Sequence, residues 1–198
     1  MKLISSHERF QCEIFRVTED RAVSPGGFEI RRAIVVHRGS AVMMPVDERG
    51  RVLLVRQYRL PARQSLWELP AGRLDEGEST PAAARRELRE ETGYRARHWR
   101  KLVSFYPSPG FLGEKMTIFL ATGLTLGPAA PMEDERIRCR WFTARELEAG
   151  IRAGRIIDGK TIIGFLAWKR FGGNRSAGSR TSPSAPGRDG SPRASARR

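Results

Sequence analysis

Cysteine is nearly missing from this chain of 198 residues: Cys12 and Cys139 are the only two. They stand too far apart for a zinc motif and are too few for a disulfide framework, which points to a reducing compartment, with both read as ordinary buried thiols. Long apolar runs are missing as well. The opening MKLISSHERFQCEIF has no signal-peptide core, and no segment approaches the roughly 18 apolar residues of a membrane span, so the sequence reads as cytoplasmic and free of membrane segments. Histidine is scarce, and His7, His37 and His98 form no metal-like cluster. No Ser-His-Asp elbow or phosphate-binding glycine-rich loop is present to support those chemistries. Acid is the minority charge: 22 Asp and Glu against 36 Lys and Arg leave a formal net charge of +14. That balance favours an anionic partner, whether nucleic acid, membrane surface or phosphorylated small molecule.

What is present suits one folded domain with an accessory segment. At 39% hydrophobic residues the chain can bury a core without disulfide staples. Part of the positive charge sits in the C-terminal GGNRSAGSRTSPSAPGRDGSPRASARR, whose arginines face a lone Asp189. With almost no large apolar side chain, that segment cannot offset its ordering entropy and is expected to be a disordered, solvated tail, touching nucleic acid at most non-specifically.

Upstream, short β-like runs alternate with turns and no internal repeat is visible. FQCEIFRV and FEIRRAIVVH flank a turn at Ser24, Pro25, Gly26 and Gly27, which predicts a hairpin or meander. SAVMMPV and RVLLVRQY flank DERG and read as a second hairpin. LVSFYP, KMTIFLA and IRCRWF add strands. Helix signals are fewer. Ser79 or Thr80 can cap a helix with Pro81 in its first turn and Gly93 at its left-handed stop. Thr143 and Glu146 make a capping box for ARELEAGIRAG, and KTIIGFLAWKRF reads as a final helix on the sheet. The fold class is therefore α+β, with helices against a mixed sheet.

One stretch breaks local rules. AGRLDEGESTPAAARRELREETGY concentrates carboxylates in a basic protein. On a helix, Glu87 and Glu91 lie about 40° apart and Glu90 about 60° to the other side of Glu87, so the three share a face. Glu90 and Glu91 also stand near the helix C-terminus, where the macrodipole disfavours negative charge by about 0.3 to 1 kcal/mol each. Arg85, Arg86 and Arg89 could neutralise them as a solvated charged face. A hard divalent cation would also remove the repulsion, since Mg²⁺ takes oxygen ligands and bridges carboxylates to substrate phosphates.

From Gly72 the spacing runs through five residues to Glu78, then seven to Arg86-Glu87-Leu88-Arg89-Glu90-Glu91-Thr92-Gly93-Tyr94. This resembles the full signature of the Nudix hydrolases, with Tyr94 standing where an aliphatic residue is commoner. The resemblance implies an α/β/α sandwich with a mixed sheet, preceded by a small N-terminal β-rich segment. It divides the chain into residues 1–38, a β-hairpin or meander and dimerisation element; 39–171, the Nudix hydrolase domain; and 172–198, the basic tail. It implies Mg²⁺, or Mn²⁺, held by Glu87 and Glu91 with help from Glu90 and the carbonyl of Ala71. Glu78 and Arg86 would brace the loop on the helix as structural members, with Gly72 and Gly93 completing the box.

LLVRQYRLP, LWELPAGRLDEGE and SFYPSPGFLGEKMTIFLA resemble the ADP-ribose pyrophosphatase branch. That likeness implies metal-dependent hydrolysis of ADP-ribose to AMP and ribose 5-phosphate by a homodimer. Within it, the acidic loop PMEDERIRCRW offers Glu133 as general base and Glu135 as a further metal contact. Arg59 is the candidate phosphate contact, because a guanidinium grips phosphate oxygens bidentately. Phe10, Phe15, Phe28 and Arg32 are available for adenine, Arg32 being the one taken as a substrate contact. Other readings are a preference for ADP-glucose or GDP-mannose, and a non-catalytic ADP-ribose sensor.

Overall fold

In a computed structural model, which describes residues 1–127 and 138–172, the chain opens with a three-stranded antiparallel meander. Its strands are β1 (Lys2–Gln11), β2 (Arg16–Val23) and β3 (Glu29–Val36), in the order β1-β2-β3. FQCEIFRV is thus not one strand: the amide of Cys12 donates to the carbonyl of Phe15 at 2.9 Å, and the chain reverses there. The meander is tied to the rest through β3, where Val35 donates to Phe111 (2.7 Å) and accepts from Gly113 (2.8 Å).

The main domain contains β4 (Ser40–Pro45), β5 (Val52–Arg59), a short 3-10 turn at Leu60–Ala62, β6 (Gln64–Glu68) and β7 (Ala71–Arg73). Then come α1 (Thr80–Thr92), β8 (Tyr94–Phe105), β9 (Met116–Leu126), β10 (Arg138–Phe142), α2 (Ala144–Arg152) and α3 (Gly159–Phe171). One sheet has the order β7-β4-β9-β8, with β4 and β9 parallel and the other pairs antiparallel; a second runs β10-β5-β6. The expected hairpin between SAVMMPV and RVLLVRQY is corrected here. Its tight turn is real, since Asp47 accepts the amides of Arg49 and Arg51 at 3.0 and 2.8 Å, but only Val46 and Val52 pair before the strands part into different sheets. Both runs are buried throughout their apolar stretch, and each finds a better-covered position in a separate layer than beside the other.

β4 shows why layers form on both sides. Its even residues Val42 and Met44 enter a core with Leu54, Leu69, Ile118, Leu147 and Phe165, which brings in α2 and α3. Its odd residues Ala41 and Met43 enter another with Ala83, Ala84 and Leu88 of α1. The alternation of a strand thus sends successive side chains to opposite helical layers. Leu88 is fully buried, and its truncation to Ala is expected to cost about 2 to 5 kcal/mol.

Helix ends follow local chemistry. Ser79 precedes α1 in extended backbone, but neither it nor Thr80 caps the helix through its side chain; Pro81 in the first turn does the local work instead. Gly93 ends α1 at φ 72°, a left-handed conformation that favours glycine, and its amide donates to Arg89. Thr143 and Glu146 form the capping box of α2, while Asp158 caps α3 by accepting from the amide of Thr161. The two thiols depart from expectation: Cys12 is half-buried, and Cys139, on the edge strand β10, is exposed with its thiol toward the carbonyl of Glu91 at 4.0 Å. Among the described residues no helix is long and apolar enough to cross a membrane.

Candidate active site

α1 buries Ala83, Ala84 and Leu88 on one face, which forces Glu87, Glu90 and Glu91 to the other side. β7 runs flush against that face. A Cβ at Gly72 would lie 1.8 Å from Cδ of Glu87, so any side chain there would push this carboxylate aside. The neighbouring amide of Ala71 donates to Oε2 of Glu91 at 3.1 Å.

Arg86 binds this unit together. Its Nε and Nη2 grip Glu78 at 3.1 and 2.8 Å, and Nη2 also donates to the carbonyl of Arg73 at 3.1 Å. Its Nη1 reaches Glu87 at 2.7 Å and Glu90 at 3.1 Å. The loop and the helix are thereby fastened by one guanidinium, whose own pKa is driven upward chiefly by its hydrogen bonds to Glu78. The same contact holds the Glu78 carboxyl below its ordinary range.

Glu87 behaves oppositely. Burial pushes its carboxyl up, and the charges of Glu90 and Glu78 add to that, so Arg86 only partly compensates it. A carboxylate pressed out of water beside two others has the chemistry of a hard-cation ligand. Among the described residues no three His, Cys, Asp or Glu side chains are already gathered to hold a metal ion, and Arg86 stands between Glu87 and Glu90 as their counter-charge. The oxygen-only donor set and the only partly compensated burial of Glu87 fit a divalent ion that would take over part of that role.

Beside β7 lies a cavity of about 360 Å³ whose lining includes Arg59, Glu68, Ala71, Gly72, Asp158 and Lys160. Glu68 is only 1% exposed. Arg59 grips it with Nε at 3.0 and 3.2 Å and Nη2 at 2.9 Å, and Lys160 Nζ donates to the same carboxylate and to Asp158 at 3.0 Å. Burial alone would raise the Glu68 pKa; the hydrogen bonds of Arg59 and the charge of Lys160 overcome it and hold the carboxyl low. Glu91 contributes in turn to holding the Arg59 guanidinium protonated, after the larger effect of Glu68, so the carboxylate face and this cluster are electrostatic neighbours.

The structure therefore brings Ala71, Gly72, Glu78, Arg86, Glu87, Glu90, Glu91 and Gly93 into one unit, with Arg59 on the adjoining cavity. Arg32 is elsewhere: it is exposed on β3, donates to the carbonyl of Arg31 at 2.8 Å, and does not line the cavity. Phe10 and Phe28 are likewise exposed on or beside the meander. Glu133 and Glu135 lie outside the described residues. Tyr94, the unusual residue after Gly93, packs its ring edge-on to Trp141 at 5.7 Å, which accounts for an aromatic there. Sequence reasoning missed Glu68, Asp158 and Lys160. Asp158, three positions before Thr161, carries a local cap signal that sequence reasoning passed over, and nothing local showed that Lys160 turns inward to a buried glutamate.

The chain is also similar to known proteins. The NUDIX domain family matches residues 36–162. An ADP-ribose pyrophosphatase of Mycobacterium tuberculosis is 38% identical over 167 residues, covering 83% of this chain and 81% of the relative. A methanol dehydrogenase activator of Bacillus methanolicus is 35% identical over 164 residues, covering 82% and 89%. Among solved structures, one described as an ADP compounds hydrolase superposes with a TM-score of 0.74 at 18% identity, over 86% of this chain and 94% of that one, a likeness of fold.

Proposed function

The chain belongs to the NUDIX family and is a pyrophosphohydrolase, and we propose that it cleaves the pyrophosphate bond of ADP-ribose to give AMP and ribose 5-phosphate. The observation that carries the reading is the packing of β7 against Glu87 and Glu91, which sets a carboxylate face beside a cavity lined by arginine and lysine. An acidic face alone would repel a diphosphate; next to Arg59 and a bound cation it becomes a place to hold one.

Glu87, Glu90, Glu91 and the carbonyl of Ala71 would hold Mg²⁺, or Mn²⁺. When bound, the ion supplies charge neutralisation at the diphosphate and acidification of the attacking water. Glu78 and Arg86 keep the loop and α1 in register, so their part is positional. Arg59 offers its guanidinium to a phosphate oxygen while Nε and Nη2 remain anchored on Glu68. Glu133 takes the proton of the water as general base, with Glu135 a further metal contact. Arg32 would contact the nucleotide from the meander of a second copy. Exposed Leu3, Ile4, Phe10, Ile14 and Phe28 give that segment, residues 1–38, the apolar surface of a homodimer element. Residues 39–171 form the hydrolase domain, and 172–198 a basic tail that touches nucleic acid at most non-specifically.

The deciding measurement is Mg²⁺-dependent AMP release from ADP-ribose by Glu91→Gln, with ADP-glucose and GDP-mannose assayed alongside. Release should fall at least about a hundredfold while the thermal transition is retained. Undiminished turnover would refute the metal assignment, and faster turnover of another sugar would move the substrate.

A further inference from the structure

On the flank of α1 lies a cleft of about 510 Å³ lined by Arg85, Arg86, Arg89, Arg95, Ala96 and Trp99, whose Arg86 also donates to the carbonyl of Arg73 on the lining of the cavity beside β7. It shares no lining residue with the cavity of Arg59 and Glu68. Four guanidiniums line it, and among its described lining residues none is acidic.

The positive charge there is only partly explained by the fold. Arg86 is compensated by Glu78, Glu87 and Glu90. Arg89 has one long contact to Glu90, at 3.4 Å, and the helix C-terminus also favours a cation there. Neither reason covers Arg85 or Arg95. Arg85 donates to the carbonyl of Pro81 at 3.1 Å and lies over the Trp99 ring at 5.6 Å. Trp99 is itself fixed, its Nε1 donating to Ala96 at 3.1 Å and its ring edge-on to Phe119 at 6.5 Å. Arg85 is thus held on a rigid aromatic backing, which removes much of the rotamer entropy a binding arginine would otherwise lose. Arg85 and Arg95 thus add positive charge beyond what those carboxylates offset, which an entering anion would relieve, and planar guanidiniums match phosphate oxygens in pairs. The volume falls within the roughly 300 to 1,000 Å³ of small-molecule sites.

We propose that this cleft is a second anion site, separate from the catalytic cavity, that binds the phosphate of a nucleotide-sized phosphate ester. The ester can be a free nucleotide, a monoester dianion, or part of a nucleic-acid strand, a diester monoanion, and both present anionic non-bridging phosphate oxygens to Arg85, Arg89 and Arg95.

The test uses the full chain in EDTA, so that binding through a metal is switched off, and titrates AMP and a short single-stranded oligonucleotide by calorimetry. The double variant Arg85→Gln/Arg95→Gln should weaken binding at least about tenfold while leaving kcat for ADP-ribose with Mg²⁺ unchanged, because each lost charge-assisted bond is a substantial part of such affinity. Loss of AMP binding assigns a free nucleotide. Loss confined to the oligonucleotide, with a salt slope lowered by about 0.7 per arginine removed, assigns nucleic acid. Absence of binding by the unaltered protein, or equal binding by the double variant, overturns the proposal. So does AMP binding abolished by Arg59→Gln and kept in the double variant, since that ligand sits in the catalytic cavity.

Discussion

Lys160→Met removes one ammonium from the buried cluster that joins α3 to β5 and β6. Glu68 is 1% exposed and Lys160 8%, so neither charge has water to fall back on. Deleting one partner of a buried pair commonly costs about 3 to 5 kcal/mol, because the other charge is left uncompensated. Glu68 keeps its two-pronged contact with Arg59, which places the expected cost near the low end, about 3 kcal/mol. In a domain of this size that lowers Tm by roughly 6 to 12 °C. Glu68→Gln/Lys160→Met should be less destabilised than Lys160→Met alone, since it leaves neither buried charge stranded and Arg59, 40% exposed, can turn to water. Urea unfolding of the parent, Lys160→Met, Glu68→Gln and the double variant measures this, and pH supplies a second check. A carboxyl with a depressed folded pKa contributes stability above its unfolded pKa and loses it as pH falls through the folded value. The gap between parent and Lys160→Met is therefore full at neutral pH and narrows on acidification below the ordinary Glu range. A cost under about 1 kcal/mol, or a double variant whose loss equals the sum of the single losses, would show that the cluster is not a coupled buried network.

Gly72→Ala should leave the protein folded yet displace the Glu87 carboxylate, because its new methyl would fall 1.8 Å from Cδ; hydrolysis should drop at least about tenfold with a higher Mg²⁺ requirement, read from metal-titrated kinetics. Glu87→Gln is expected to abolish metal-dependent turnover without lowering Tm in EDTA, since the buried charge it removes is only partly compensated by Arg86; calorimetric melting in EDTA decides. Glu78→Gln should loosen the loop through Arg86 and lower both Tm and kcat, whereas a lowered kcat with unchanged Tm would place Glu78 in the chemistry rather than the brace.

The acidic helix was legible because its signals are local. Pro81, the apolar positions through Leu88 and Gly93 set its ends and buried face without help from distant residues. The fold class and the capping box at Thr143 were readable for the same reason. Strand partners were not. DERG announces a turn correctly, yet whether Ser40–Pro45 pairs with Val52–Arg59 depends on β9 and β7, which compete for the same backbone groups from far along the chain. The short strands Gln64–Glu68 and Ala71–Arg73 carry too few residues for a visible period and exist through their partners.

By itself, the sequence determined which residues share the carboxylate face, where that helix starts and stops, and that the surrounding protein is basic; periodicity, capping and charge are properties of neighbouring residues. Only the tertiary structure decided how close β7 comes to Glu87, that Arg86 stands as counter-charge between Glu87 and Glu90, and that Glu68 and Lys160 meet in the interior. Those outcomes rest on desolvation and on contacts between segments remote in sequence, whose energies have no local signature until the layers are packed.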